Sequence, residues 1–221
     1  MGYPGPTVIM SVGDSITSGT GSTAALQSAG YRYLLDVACT AIGAPIKFIG
    51  SQVLGTFANN LNEGWPGLAT DNIRISSQAA RRIQQPEIIL AAPGTNDLAV
   101  ISNNITPAQL LPIYTTFLNE LWDYQAHAIP GGGSTLRAVL VSTLLKRPDD
   151  LAVTNARVID WNTNYLPPLV AAQSALGRTT IIVDGYNVVS NFSDNIHPND
   201  AGYQQWLPSW MAKLTPLLRR N

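Results

Sequence analysis

The amino-acid sequence predicts an α/β fold: a single three-layer α/β/α domain built on a five-stranded parallel sheet. Three observations carry this. Five short runs are almost wholly apolar, the signature of strands buried on both faces. Between them lie stretches long enough and suitably patterned for crossover helices. The 221 residues suit one buried core. No linker, repeat or low-complexity tract divides them, so residues 1–221 are read as one domain.

The elements follow in order. Thr7 to Val12 is the first strand and ends in Gly13. A helix near Gly30 to Ile42 leads to a second strand at Pro45 to Gly50. Ser51 to Leu68, rich in Asn, Gly and Pro, reads as a long loop. Thr70 and Asp71 offer N-caps for a helix through Ile73 and on to Ile83. Pro86 to Ala92 is the third strand. A long helix opened by Thr106-Pro107 runs to about Ala128 and is ended by Gly131-Gly132-Gly133. Leu136 to Ser142 is the fourth strand; a helix from Asp149 or Asp150 is expected to be interrupted at Pro167-Pro168. Thr179 to Asp184 is the fifth strand, and the last helix starts near Asn199-Asp200 and ends within Lys213 to Arg220.

Composition narrows the function. The net charge is −1 and only 12% of residues are charged, which argues against a nucleic-acid partner. The adjacent basic pairs Arg81-Arg82, Lys146-Arg147 and Arg219-Arg220 are too short to make a basic groove. No apolar run reaches the length of a membrane span, so no membrane partner is expected. Cys39, the one cysteine, forms no internal disulfide and reads as a small buried hydrophobe. Low charge with abundant Asn, Ser, Thr and Gly resembles an extracellular enzyme. Secretion is therefore expected, with Met1-Gly2 standing where a leader was removed; sequons at Asn104 and Asn191 are in keeping with it.

In parallel sheets, sites gather where the carboxyl ends of strands meet their loops. Four such loops carry suitable residues. Gly13-Asp14-Ser15-Ile16-Thr17 would present Ser15 on a tight turn, although Asp14 and Ser15 equally suit a helix cap. Gly94-Thr95-Asn96-Asp97 offers the Asn96 amide, a neutral donor suited to a developing oxyanion, or else a plain Asx turn. Asp194-Asn195-Ile196-His197-Pro198 can set a carboxylate against one imidazole nitrogen and leave the other facing the sheet, or cap the helix near Asn199. Glu63-Gly64-Trp65-Pro66-Gly67 precedes a helix and can point the Gly67 N–H at an anion, or form an ordinary Pro-Gly turn.

Each loop alone is ambiguous; four at one sheet edge are not. The sequence holds only two histidines. His127, with Asp123 four residues before it, reads as a surface or packing contact on a helix end, which leaves His197 as the base. Gly19-Thr20-Gly21-Ser22-Thr23-Ala24 fits a dinucleotide fingerprint. It begins several residues past the strand end, however, and lacks a following acid at a second strand. It reads instead as a flexible lip beside the site.

Together these blocks resemble the SGNH subgroup of the GDSL-type hydrolases, over about residues 8 to 205. The resemblance implies the SGNH hydrolase fold with flavodoxin-like strand order. It also implies Ser15 as nucleophile, His197 as base and Asp194 as the acid that orients it. The Ser15 N–H, the Gly67 N–H and the Asn96 amide would form the oxyanion hole. Ile16 replaces the commoner Leu of the first block, a conservative packing change. Glu63-Gly64-Trp65-Pro66-Gly67 and Asp194 through Tyr203 look most like carbohydrate esterase family three, whose members remove acetyl groups from xylan.

The expected substrate is thus an acetylated carbohydrate or small ester, with Asp14, Trp65 and Tyr186 as candidate substrate contacts. Trp206 could also stack on sugar, but its i,i+4 spacing with Trp210 suits core packing. Some members of that family carry calcium; no acidic cluster here demands it, and neither metal nor cofactor is expected. The chain is expected to act as a monomer. A broader short-chain carboxylesterase or lysophospholipase is the alternative substrate reading. A non-catalytic carbohydrate-binding relative should have lost Ser15, Asn96 or His197, and all three are present.

Overall fold

The structure, a computed structural model, describes residues 5–126, 135–147 and 152–219. Its first half contains β1 (Thr7–Gly13), α1 (Ser15–Ser18), α2 (Tyr31–Ala41), β2 (Ile46–Ile49), β3 (Gln52–Val53) and β4 (Leu61–Gly64). α3 (Thr70–Ser76), α4 (Gln78–Gln84), β5 (Ile88–Ala92), α5 (Thr95–Leu98) and α6 (Pro107–Ala126) follow. β6 (Ala138–Ser142), α7 (Ala152–Asp160), α8 (Leu166–Ala175), β7 (Thr180–Val183) and α9 (Asp200–Leu214) complete it.

The five anticipated strands are all present and all parallel, side by side as β2-β1-β5-β6-β7. Counted in chain order this is the flavodoxin-like 2-1-3-4-5 arrangement. Their side chains alternate between two cores. Ile88, Leu90, Ala138 and Leu140 face one with α2 and α9; Ile89, Ala91, Val139 and Val141 face the other with α3, α4, α6, α7 and α8. The first core is anchored by aromatics: the Tyr31 ring lies 5.2 Å from Trp206 and 5.3 Å from Trp210. Cys39 is fully buried there.

Two expectations need correcting. The stretch Ser51 to Leu68 is not a plain loop but contains β3 and β4, which pair antiparallel. β4 continues parallel to β1 at Val12–Glu63 and Gly13–Gly64, beyond the Thr7–Met10 stretch that pairs with β2. The sequence Leu-Asn-Glu-Gly carries no apolar run, because Asn62 and Glu63 are buried through hydrogen bonds rather than apolar contact. The interruption expected at Pro167-Pro168 takes a different form. The helical backbone runs on through both prolines, but its α-type bonding gives way just before them to a π-turn over Trp161–Tyr165, closed by Leu166 N–H on Trp161 O, which accommodates the N–H groups the prolines lack.

The boundaries expected at Ala128, Gly131 to Gly133 and Asp149 or Asp150, and the His127 contact, lie outside the described residues. No described helix is long and apolar enough to cross a membrane.

Candidate active site

Ser15 opens α1, a single helical turn set directly on the end of β1. The turn follows from Asp14, which takes an extended backbone and accepts the Ile16 N–H on Oδ1 at 2.9 Å. This is the N-cap role that suits a short polar side chain. From the other end, the buried Arg32 guanidinium donates to the carbonyls of Thr17 and Ser18 at 2.9 and 3.0 Å, and to Leu54 O at 2.8 Å. Four peptide units are thereby held at both ends, with Ser15 only 8% exposed.

The loop before α9 delivers the histidine. Asp194 Oδ1 accepts the N–H groups of Ile196 and His197, both at 2.7 Å, and its Oδ2 lies 2.7 Å from His197 Nδ1. His197 Nε2 lies 2.8 Å from Ser15 Oγ. An ionised carboxylate only accepts, so the imidazole proton sits on Nδ1 and Nε2 accepts from Ser15. Asn199 caps α9 by accepting the Gly202 N–H, which ends the loop immediately after the histidine.

The third part is a chain of direct bonds between the remaining loops. Trp65 N–H donates to Gly13 O at 2.8 Å, tying the β4 exit to the nucleophile turn. Trp65-Pro66-Gly67-Leu68 is a β-turn closed by Leu68 N–H to Trp65 O at 3.2 Å; Gly67 takes φ +78°, which a side chain would resist. Asn96 Nδ2 donates one proton to Leu68 O at 3.0 Å, leaving its second for another acceptor. Neither the Ser15 N–H nor the Gly67 N–H is engaged by another described residue. Ser15, His197, Asp194 and three candidate oxyanion donors therefore meet at one edge of the sheet. The arrangement can draw a proton from Ser15 Oγ while offering donors to a negative oxygen.

Electrostatics separates the carboxylates. Burial pushes Asp14 up from its ordinary 3.8 to about 6, against the opposing Ile16 N–H and the His197 imidazole. Burial likewise raises Glu63 and Asp97. Burial also acts upward on Asp194, but the His197 imidazole and the two backbone N–H groups outweigh it, and that carboxyl lies below its usual range.

The sheet edge brings together Ser15, Gly67, Asn96, Asp194 and His197, and it places Trp65, partly exposed, beside the Ser15 turn. Asp14 is a correction: it is fully buried under the turn and its carboxylate caps α1, so it does not reach a substrate. Tyr186 follows β7, its N–H donating to Thr143 Oγ1 at 3.0 Å just past β6, with β5 between these strands and β1, and Lys146 Nζ lies 5.4 Å from its ring centre. Trp206 is core, 1% exposed. The stretch Gly19 to Ala24 does lie beside the site, but as a bonded segment rather than a loose lip: Thr23 bonds to Asp200 and Gly21 packs against the segment around His197.

Four supporting residues escaped the sequence reading. Asp97 Oδ2 accepts both the N–H and the hydroxyl of Thr70, at 2.9 and 2.8 Å, and so fastens the Asn96 loop to the start of α3. Glu63 accepts the Trp65 indole N–H at 3.0 Å and the Ser51 N–H. Arg32 and Tyr203 are fully buried polar side chains on α2 and α9. The available signal was a charge inside an otherwise apolar segment, as with Arg32 between Tyr31 and Tyr33. Among the described residues no group of three or more His, Cys, Asp and Glu side chains is gathered to hold a metal ion.

Comparison with known proteins bears on the family and the fold. Residues 9–207 match the model of the GDSL-like lipase/acylhydrolase family. No curated protein matches the chain by sequence. Among solved structures, a family 3 carbohydrate esterase of Clostridium thermocellum superposes with a TM-score of 0.79 at 19% identity, covering 96% of this chain and 97% of that one. A carbohydrate esterase family 3 structure from Talaromyces cellulolyticus gives 0.71 at 20% identity, over 96% and 97%. The M. smegmatis aryl esterase gives 0.65 at 16% identity, over 96% and 100%. At such identities the likeness establishes the fold.

Proposed function

The chain belongs to the GDSL-like lipase/acylhydrolase family and is a carboxylic ester hydrolase; from that premise we propose that it is a secreted serine esterase removing short acyl groups, acetyl above all, from xylan or a related acetylated carbohydrate. The observation that carries the reading is the unbroken hydrogen-bond chain from Asp194 through His197 to Ser15, at 2.7 and 2.8 Å.

In this mechanism Ser15 Oγ attacks the ester carbonyl carbon as its proton passes to His197 Nε2. Asp194 keeps the imidazole oriented and offsets the imidazolium charge. The carbonyl oxygen becomes an oxyanion held by the Ser15 N–H, the Gly67 N–H and the free proton of Asn96 Nδ2. Collapse expels the sugar alkoxide, which takes the proton from His197 and leaves acyl-Ser15. Water then attacks the acyl carbon with His197 again as base, releasing the carboxylic acid and restoring Ser15.

Support for a carbohydrate leaving group comes from Trp65, whose partly exposed ring at the Ser15 turn offers a face for a sugar. The two family 3 carbohydrate esterases with the same fold point the same way. Support for secretion is the low charge, 12% of residues. The deciding assay is turnover of p-nitrophenyl acetate by the chain and by Ser15→Ala; equal rates would sink the reading. kcat/KM should fall steeply from acetate to butyrate esters, and acetate should be released from acetylated xylan. A flat or rising acyl series would instead make the chain a broader carboxylesterase.

A further inference from the structure

Ser15 and His197 lie 182 positions apart, yet their side chains meet at 2.8 Å. A contact so distant in sequence needs something that sets one segment on the other. The stretch running on from α1, Gly19 to Ala24, touches the segment around His197 in three ways. Thr23 N–H donates to Asp200 Oδ1 at 2.8 Å and its hydroxyl donates to Asp200 Oδ2, so both oxygens of a residue three beyond the histidine are taken. Gly21, at φ +90°, lies flat against the histidine loop. A Cβ there would press on Pro198 O and stand 2.6 Å from Ser193 Oγ and 2.9 Å from His197 Cβ. Tyr203 of α9, fully buried, brings Oη within 2.8 Å of Thr20 O and 3.1 Å of Ile16 O, its one proton shared between two carbonyls flanking the nucleophile turn.

We propose that residues 19–24 are a brace that fixes the Ser15–His197 distance, with Gly21, Thr23 and Tyr203 as positioning residues. The inference rests on the serine esterase reading above. Its argument is where the contacts fall. Tyr203 holds the carbonyls next to the nucleophile, while Gly21 meets the Cβ of the base itself, so a shift in the brace moves the two reacting side chains relative to each other. A displacement of about 1 Å between reacting groups costs on the order of 100-fold in rate. Two of the three oxyanion donors, the Gly67 N–H and the Asn96 amide, sit on the β4 and β5 exits rather than on the braced segments, so most of the carbonyl-oxygen site is left in place.

The test compares kcat and KM on p-nitrophenyl acetate for the wild-type chain, Gly21→Ala, Thr23→Val, Thr23→Ser and Tyr203→Phe. It adds melting curves and the downfield Nδ1–H resonance of His197. The expected result is a fall in kcat of about 100-fold for Gly21→Ala and roughly tenfold for Thr23→Val and Tyr203→Phe. KM should stay within about twofold, Thr23→Ser should recover the wild-type rate, and the Nδ1–H signal should shift in Gly21→Ala. Folded variants with wild-type kcat, or variants that raise KM alone, would overturn the brace. If Gly21→Ala does not fold, the Thr23→Val and Thr23→Ser pair decides. Equal rates for wild type and Ser15→Ala would overturn the esterase reading instead; the Nδ1–H shift then still tests the brace, and its absence would refute it.

Discussion

Four carboxylates hold this site, and they divide between two regions. Asp14, Glu63 and Asp97 lie fully buried beneath the Ser15, Gly67 and Asn96 side. Asp194 stands on the His197 side with its side chain 53% exposed. All four use their oxygens alike, accepting N–H groups from backbone or ring. Burial nevertheless raises the first three while hydrogen bonding keeps the fourth below its usual range. Sequence proximity is thus a poor guide to role. Asp14 adjoins the nucleophile and only shapes its turn, whereas Asp194, distant in sequence, stays ionised beside the imidazole and can balance its charge.

The contrast breaks most clearly on the exposed member. Asp194→Asn should cut kcat roughly 10³-fold, because an amide can turn its NH₂ to the ring and stabilise the wrong tautomer. Its melting temperature should change by no more than about 2 °C, since an exposed hydrogen bond contributes little. A stability loss as large as the activity loss would erase the difference between the regions.

Asp97→Ala tests the buried side. Two donors of Thr70 would lose their acceptor in a closed environment, destabilising the chain by about 3 kcal/mol and lowering the melting temperature by roughly 6–12 °C. Calorimetry showing a normal transition would mean that water or a neighbour replaces the carboxylate.

The pH dependence of the two regions runs in opposite directions. Asp14, raised from 3.8 to about 6, binds its proton more tightly when folded; its stabilisation is complete below the unfolded value and lost as pH rises through about 6. Asp194, lowered, contributes above the unfolded value and loses that contribution as pH falls. Asp14→Asn, which keeps an acceptor for Ile16, should therefore gain on the wild-type chain between pH 4 and 7, by up to about 3 kcal/mol. Denaturant titrations at both pH values measure the gap, and a constant gap counts against the buried, neutral form.

The smallest effect belongs to Glu63. Glu63→Gln removes one of the acceptors that fix the Ser51 N–H and the Trp65 indole, and KM for a sugar acetate should rise several-fold with kcat unchanged. A change confined to kcat would place Trp65 with the chemistry rather than with the sugar.

Much of this was legible in the sequence because it is local. The five buried strands announce themselves by apolar runs, and Asp194 bonds to a histidine three residues away, a contact that spacing alone suggests. What was illegible is what long-range packing creates. β4 is a strand only because Val12 and Gly13 offer it an edge, and its own residues carry no apolar alternation. The stretch Gly19 to Ala24, glycine-rich and polar, looks loose until Asp200 and the His197 loop are set against it. Asp14 looked available to a substrate, since nothing in a single sequence distinguishes a cap at a surface from one under a lid of peptide.

The separation between Ser15 and His197 also has a bearing on biosynthesis. At ribosomal rates of about 5–20 residues per second, 182 residues take roughly 10–40 s to add. For that interval Ser15 exists without His197, and α9, whose Trp206 and Trp210 close the core against Tyr31, has yet to arrive. On the proposed mechanism, ester hydrolysis then requires the His197 loop and α9 to be in place, so the onset of activity reports their docking.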